Sequence, residues 1–115
     1  MANLTFEELN KEMNKISTLG STMNESAFSE ITDFIPTGNY HLNACMTGSI
    51  FKGVPNNRAI CLAGPSGTGK TFLLLNSIRE AQAKGYYIIF YDSEAAVDKQ
   101  LMEKFDIDTS RVRYE

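Results

Sequence analysis

A chain of 115 residues with 43% hydrophobic and 22% charged residues has the size and make-up of one small soluble domain, with room for a single core. Its net charge of −3 supplies no global basic field of the kind that advertises nucleic acid, although a basic groove can sit on an acidic protein. No apolar run approaches the roughly 18–20 residues of a membrane span and no signal-peptide pattern opens the chain, so a cytoplasmic location is the default expectation.

The first predicted element lies in "LTFEELNKEMNKI" (4–16). Thr5 and Glu8 have the spacing of a capping box, and Leu4 and Leu9 that of a hydrophobic staple. Phe6, Leu9, Met13 and Ile16 then form one apolar stripe at helical spacing. A helix this short needs a surface for its stripe, either its own domain or a neighbouring subunit. "STLGSTMNES" (17–26) reads as a linker, and a second short helix is possible near 26–32. Residues 1–30 are therefore expected to be a helical arm and linker, with a possible role in oligomerisation.

Further on, Pro36 and Gly38 mark a turn, and residues 40–46 suit two helical turns. Gly48, Gly53, Pro55 and the pair Asn56 and Asn57 read as loop. "AICLA" (59–63) is a short apolar run, predicted as a buried strand. A glycine-rich loop follows, then a helix over about 70–84 closed by Gly85. "YYIIFYD" (86–92) is β-branched and aromatic, a second buried strand, and "VDKQLMEKF" (97–105) is amphipathic and predicted helical. "RVRYE" (111–115) begins a third strand. The alternation predicts an α/β fold with a parallel sheet and flanking helices. Cys45 and Cys61 are the only cysteines, form no CxxC pair, and are expected as reduced thiols in or near the core.

"GPSGTGKT" (64–71) fits G-x-x-x-x-G-K-[ST] at every required position. Gly64, Gly67 and Gly69 allow the backbone to curl around an anion with N–H groups inward, and the following helix adds its positive end. In such a P-loop Lys70 reaches the β- and γ-phosphates, and the Thr71 hydroxyl binds a magnesium ion. Kinases, helicases, transporters and recombinases all use this grip, so the loop leaves the reaction open.

"YDSEAAVD" (91–98) narrows the choice. At the C-terminal end of a parallel strand, where ligands lie, Glu94 is placed to accept a proton from, or orient, the attacking water, the alternative being that Asp92 or Ser93 merely caps the next helix. For Asp92 the spacing favours a cap on the next helix.

The combination of "GPSGTGKT", "YDSE" about two dozen residues later and the lead-in "FIPTGNYHLNACMTGSIFKGVPNN" (34–57) resembles the RecA-type recombinases. Within them, "FYDSEAAVDKQLMEKFDIDTSRV" (90–112) is most similar to the UvsX-like recombinases of tailed phages. The resemblance covers residues 34–115, so that 31–115 would be the first part of a RecA-like ATPase core.

It implies that Gly64, Pro65, Ser66, Gly67, Thr68, Gly69, Lys70 and Thr71 hold ATP and Mg2+, and that Glu94 is the catalytic base, with Lys70 assisting. By the same resemblance Asp98 sits where relatives often contact the adenine amino group, the alternative being a helix-surface charge. Two positions depart from the pattern. Leu101 stands where many relatives stack a tyrosine on adenine, and Phe105 and Asp106 stand where relatives usually have a glycine. The family also uses a second magnesium-organising acid and DNA-binding loops further along the chain. The expectation is therefore an N-terminal piece of an ATP-dependent, filament-forming strand-exchange protein acting on single-stranded DNA. Competing readings are another RecA-fold ATPase, such as a replicative helicase or DNA-repair ATPase, and a nucleotide-binding module without catalysis.

Overall fold

The computed structural model of the protein describes residues 5–18, 20, 22–23 and 30–115. The chain divides into two units, Met1–Glu30 and Ile31–Glu115. In the first, helix α1 spans Phe6–Ile16. Its capping box is formed as the spacing predicts: the Glu8 N–H donates to Thr5 Oγ1 at 3.3 Å, and Glu8 Oε2 accepts from the Thr5 N–H at 2.9 Å. No residue of α1 is buried, and its stripe of Phe6, Leu9, Met13 and Ile16 is exposed. Leu4 of the expected staple lies outside the described residues, as does most of the helix suggested near 26–32, of which residues 30–32 are not helical.

The second unit starts with a two-residue ribbon. Strand β1, Phe34–Ile35, pairs antiparallel with β2, Val54–Pro55, in the register Phe34↔Pro55 and Ile35↔Val54. Between them runs helix α2, Tyr40–Thr47, capped by the Asn39 side chain and ended by Gly48 in the left-handed region at φ 73°. Only the Pro55 side of this ribbon falls in the stretch expected as loop; two residues are too short for a periodic signal, and Pro55 is tolerated only where its missing N–H is not needed. Asn43 locks this half together. Its Oδ1 accepts from the Thr37 N–H at 2.9 Å and the Thr37 hydroxyl at 2.7 Å, while its Nδ2 donates to the Ile50 carbonyl at 2.9 Å. Gly53 runs so close to β1 that a Cβ would stand 2.3 Å from the Ile35 carbonyl oxygen.

Helix α3 occupies Lys70–Ala83, with Gly85 at φ 92° turning the chain as expected. It leads to strand β3, Ile88–Phe90, then helix α4, Lys99–Lys104, a 3-10 turn at Thr109–Arg111, and strand β4, Val112–Tyr114. Strands β3 and β4 are parallel, in the register Ile88↔Val112, Ile89↔Arg113 and Phe90↔Tyr114. This β–α–β unit is the part of the predicted parallel sheet that forms. Each of its elements is shorter than its sequence window, because end residues of an amphipathic run lack ladder or i→i−4 partners.

The core lies between α3 and this unit. Leu75, Ile78, Phe90, Val97, Met102 and Ile107 form one buried cluster, and Ile88, Leu101, Phe105 and Val112 pack against it. Buried side chains of this size contribute about 1.5–3 kcal/mol each. Leu101 of α4 packs on this core. Gln82 clamps the approach to β4, donating from Nε2 to the Asp108 carbonyl at 2.9 Å and accepting from the Asp108 N–H at 2.9 Å. Lys84 ties the end of α3 to the ribbon, bonding the Asp33 carboxylate and the Phe34 carbonyl, while Tyr86 donates to Asp33 Oδ2 at 3.0 Å. Asp106 takes φ 57°, so the turn keeps the left-handed geometry that a glycine would adopt freely.

Two expectations are corrected. Residues 59–63 form no strand and are exposed. A strand needs a ladder partner, and among the described residues no strand pairs with this run, which leaves Ile60 and Leu62 on one wall of an apolar groove of about 220 Å³ that also includes Leu73 and Ile88. Cys45 and Cys61 are free thiols but are exposed rather than in a core, Cys61 because it belongs to that same unpaired segment.

Candidate functional site

The glycine-rich loop runs between the extended segment 59–63 and the first turn of α3. Gly67 and Gly69 take φ of 76° and 85°, a conformation that side chains with a Cβ adopt only at a cost. The Thr68 hydroxyl donates to the Pro65 carbonyl at 2.8 Å and closes the turn. The Lys70 ammonium donates to the carbonyls of Gly64 and Pro65, each at 2.8 Å, so the side chain folds back over the loop it follows. Gly69 is the N-cap of α3 and brings no side-chain bond, which leaves the first-turn N–H groups and the positive end of the helix directed at the loop.

Opposite the loop lies the chain leaving β3. One cleft of about 760 Å³ is walled by Gly64 and residues 66–71 on one side and by Asp92, Ser93 and Glu94 on the other, with Leu74, Phe90 and Val97 at its base. Of the sequence-predicted residues, Gly64, Ser66, Gly67, Thr68, Gly69, Lys70, Thr71 and Glu94 are thus brought together. Pro65 lines the adjoining depression with Cys61 and Leu62. Asp98 lies apart from the cleft, in a separate depression with Met102, Ser110 and Tyr114. It is the N-cap of α4, its Oδ1 accepting from the Leu101 N–H at 2.7 Å.

Asp92 is not the cap that its spacing favoured. Its Oδ1 accepts from the Glu94 N–H at 3.0 Å, and its Oδ2 accepts from the Val97 N–H at 3.0 Å and the Tyr114 hydroxyl at 3.2 Å. These donors hold its carboxyl below the usual carboxylate range, the Val97 N–H foremost. Burial, followed by the same carboxylate, pushes the Tyr114 hydroxyl up. Sequence reasoning missed Tyr114 altogether. The signal was faint, since Tyr114 meets Asp92, 22 residues away, only through the parallel pairing of β3 and β4. A glycine-rich loop at a helix N-terminus on one wall and a carboxylate on the other give this cleft a positive end facing a negative one.

Comparison with known proteins identifies the family. The sequence model of the RecA N-terminal domain matches residues 2–113. The chain is 37% identical over 83 residues to Protein RecA of Campylobacter lari, covering 72% of this chain and 23% of that protein. With Protein RecA of Bacteroides thetaiotaomicron it shares 32% identity over 108 residues, 94% of this chain and 31% of the relative. With that of Acidothermus cellulolyticus it shares 34% over 80 residues, 70% and 22% respectively. The chain thus spans 22–31% of the length of these relatives. Helices with a small parallel sheet fit that domain, and the match runs through nearly the whole sequence. The chain belongs to the RecA N-terminal domain family of the RecA-type recombinases.

Proposed function

We propose that this chain carries the ATP-binding half-site of a DNA strand-exchange protein, built on the first part of a P-loop NTPase core over residues 31–115. The observation that carries the reading is Glu94 standing across one cleft from residues 66–71. In this reading the backbone N–H groups of Gly64, Ser66, Gly67, Thr68 and Gly69 cradle the phosphates, with Pro65 shaping the loop between them. Lys70 leaves the loop carbonyls for the β- and γ-phosphates, and the Thr71 hydroxyl holds Mg2+. The magnesium ion supplies charge neutralisation at the transferring phosphate when bound. Glu94 orients the attacking water and accepts its proton. Asp98, whose Oδ1 is engaged in capping α4, would offer its other oxygen to the adenine amino group.

In the whole protein, ATP would clamp between subunits of a filament on single-stranded DNA, and the exposed stripe of α1 would dock on a second copy. The phage UvsX-like subtype rests on the stretch 90–112 alone. The test is MgATP binding and turnover by this chain, with and without single-stranded DNA. Lys70→Ala is expected to weaken binding by about tenfold or more, the loss of one charge-assisted contact. Turnover stimulated by DNA and abolished by Glu94→Gln supports the recombinase. Binding without turnover assigns the chain nucleotide capture alone, and stimulation by duplex rather than single strands favours a helicase or repair ATPase. A Leu9→Asp variant that self-associates as well as the unaltered chain would refute the role given to α1.

A further inference from the structure

We propose that Asp92, backed by Tyr114, is the positioning residue that aims Glu94 at the glycine-rich loop, an assignment that rests on the reading of Glu94 as the group that orients water. The segment 93–97 forms neither helix nor strand, so its shape depends on tethers. Asp92 is anchored where the parallel pairing continues past the strands: its N–H donates to the Glu115 carbonyl and the Glu115 N–H donates to the Phe90 carbonyl, both at 3.0 Å.

From that fixed point its carboxylate grips the segment at both ends, Glu94 through Oδ1 and Val97 through Oδ2. Val97 is itself buried in the core, so the far end of the clasp does not yield. Between the two grips Ala95 takes φ 51°, a sharp reversal that only a constrained segment retains. Tyr114 completes the clasp from β4: its hydroxyl donates to Oδ2, and its ring stacks on Phe90 with centroids 6.0 Å apart and planes 11° apart.

The chemistry demands an ionised aspartate. Three donors converge on two oxygens, and the ionised carboxylate keeps both as acceptors at neutral pH. An asparagine offers one acceptor oxygen and turns an NH2 group towards a backbone N–H, so one end of the segment must be released. A glutamate would carry the acceptors one methylene too far.

The experiment uses this 115-residue chain, 15N-labelled, in two arms. In the first, the Glu94 and Val97 amide shifts should follow the Asp92 titration in the acid range, and Asp92→Asn should remove that dependence and speed their hydrogen exchange by about tenfold or more. Tyr114→Phe should leave both amides tied while moving the shared midpoint upward, since one donor to the charged form is lost. Amides that ignore Asp92, or that exchange at unaltered rates in Asp92→Asn, overturn the proposal. In the second arm, Asp92→Asn should lower kcat for MgATP by about tenfold with KM within about twofold, because a misaimed base affects chemistry rather than capture. An unchanged kcat in Asp92→Asn alongside a loss in Glu94→Gln overturns positioning while sparing the Glu94 reading. No effect of Glu94→Gln, or no turnover by the unaltered chain, overturns the Glu94 reading, and the amide arm then decides whether Asp92 holds the segment.

Discussion

Truncating Asn43 to alanine should be among the most damaging single changes to the unit Ile31–Glu115. Asn43 is 1% exposed and Thr37 2%, so the bonds between them are made away from water. Alanine removes all three side-chain bonds, but their losses are unequal. The Thr37 hydroxyl has a second acceptor in the Asn39 carbonyl at 3.2 Å and is not stranded. Ile50 is 47% exposed, so its carbonyl can turn to solvent and forfeits about 1 kcal/mol. The Thr37 N–H has no such outlet and is left unsatisfied, which costs about 1–3 kcal/mol. The sum is about 2–4 kcal/mol. For a unit of this size each kcal/mol corresponds to about 4–8 °C in Tm, so a fall of about 10–30 °C is expected. The chain has no tryptophan, so urea and thermal unfolding are best followed by far-UV circular dichroism. Thr37→Val is the control: it keeps the N–H bond and removes only the hydroxyl, at about 1 kcal/mol. A loss below about 1 kcal/mol for Asn43→Ala, or a larger one for Thr37→Val, would refute the assignment of Asn43 as the lock of this half.

Other changes test other joints. Gly53→Ala drives a Cβ into the Ile35 carbonyl and towards Asn43 Oδ1, and should destabilise by at least about 1–3 kcal/mol by denaturant unfolding; tolerance would mean the β1–β2 ribbon is looser than its geometry. Asp106→Gly should stabilise by about 0.5–1 kcal/mol by relieving a left-handed residue, and a loss instead would show that the aspartate side chain compensates. Hydrogen bonding by Lys84, then by the Phe34 backbone and Tyr86, holds the Asp33 carboxyl below its ordinary value of 3.8. A depressed folded pKa contributes stability above that ordinary value and loses it as pH falls through the folded one, so Asp33→Asn should be less stable than the unaltered chain at neutral pH, with the gap closing below about pH 4. A gap that persists unchanged into acid would break the linkage.

Local rules were strong enough to place several features from the chain alone. The capping box of α1, the loop-to-helix junction at Gly69 and the glycine end of α3 depend on residues within four positions of one another, and such short-range chemistry survives any tertiary context. The glycine-rich loop was legible for the same reason, because the backbone freedom it needs is written in its own glycines. Facing that loop with Glu94 was an expectation from the position of "YDSE" after a strand, and the cleft that joins them comes from how α3 and β3 share one core.

What the chain alone left undecided depends on distant partners. The run 59–63 has a strand's composition, but composition does not supply a ladder, and among the described residues no strand pairs with it. The spacing favoured Asp92 as the cap of the next helix; only the folded backbone assigns that cap to Asp98 and frees Asp92 for Glu94, Val97 and Tyr114. Asn43 and Gln82 carry no signal in their neighbours along the chain, and their importance arises because the fold brings backbone groups of residues 37, 50 and 108 within reach. Sequence therefore determined the pieces that satisfy their own hydrogen bonds locally. Tertiary structure decided which carboxylates and amides satisfy the backbone groups that local structure leaves open.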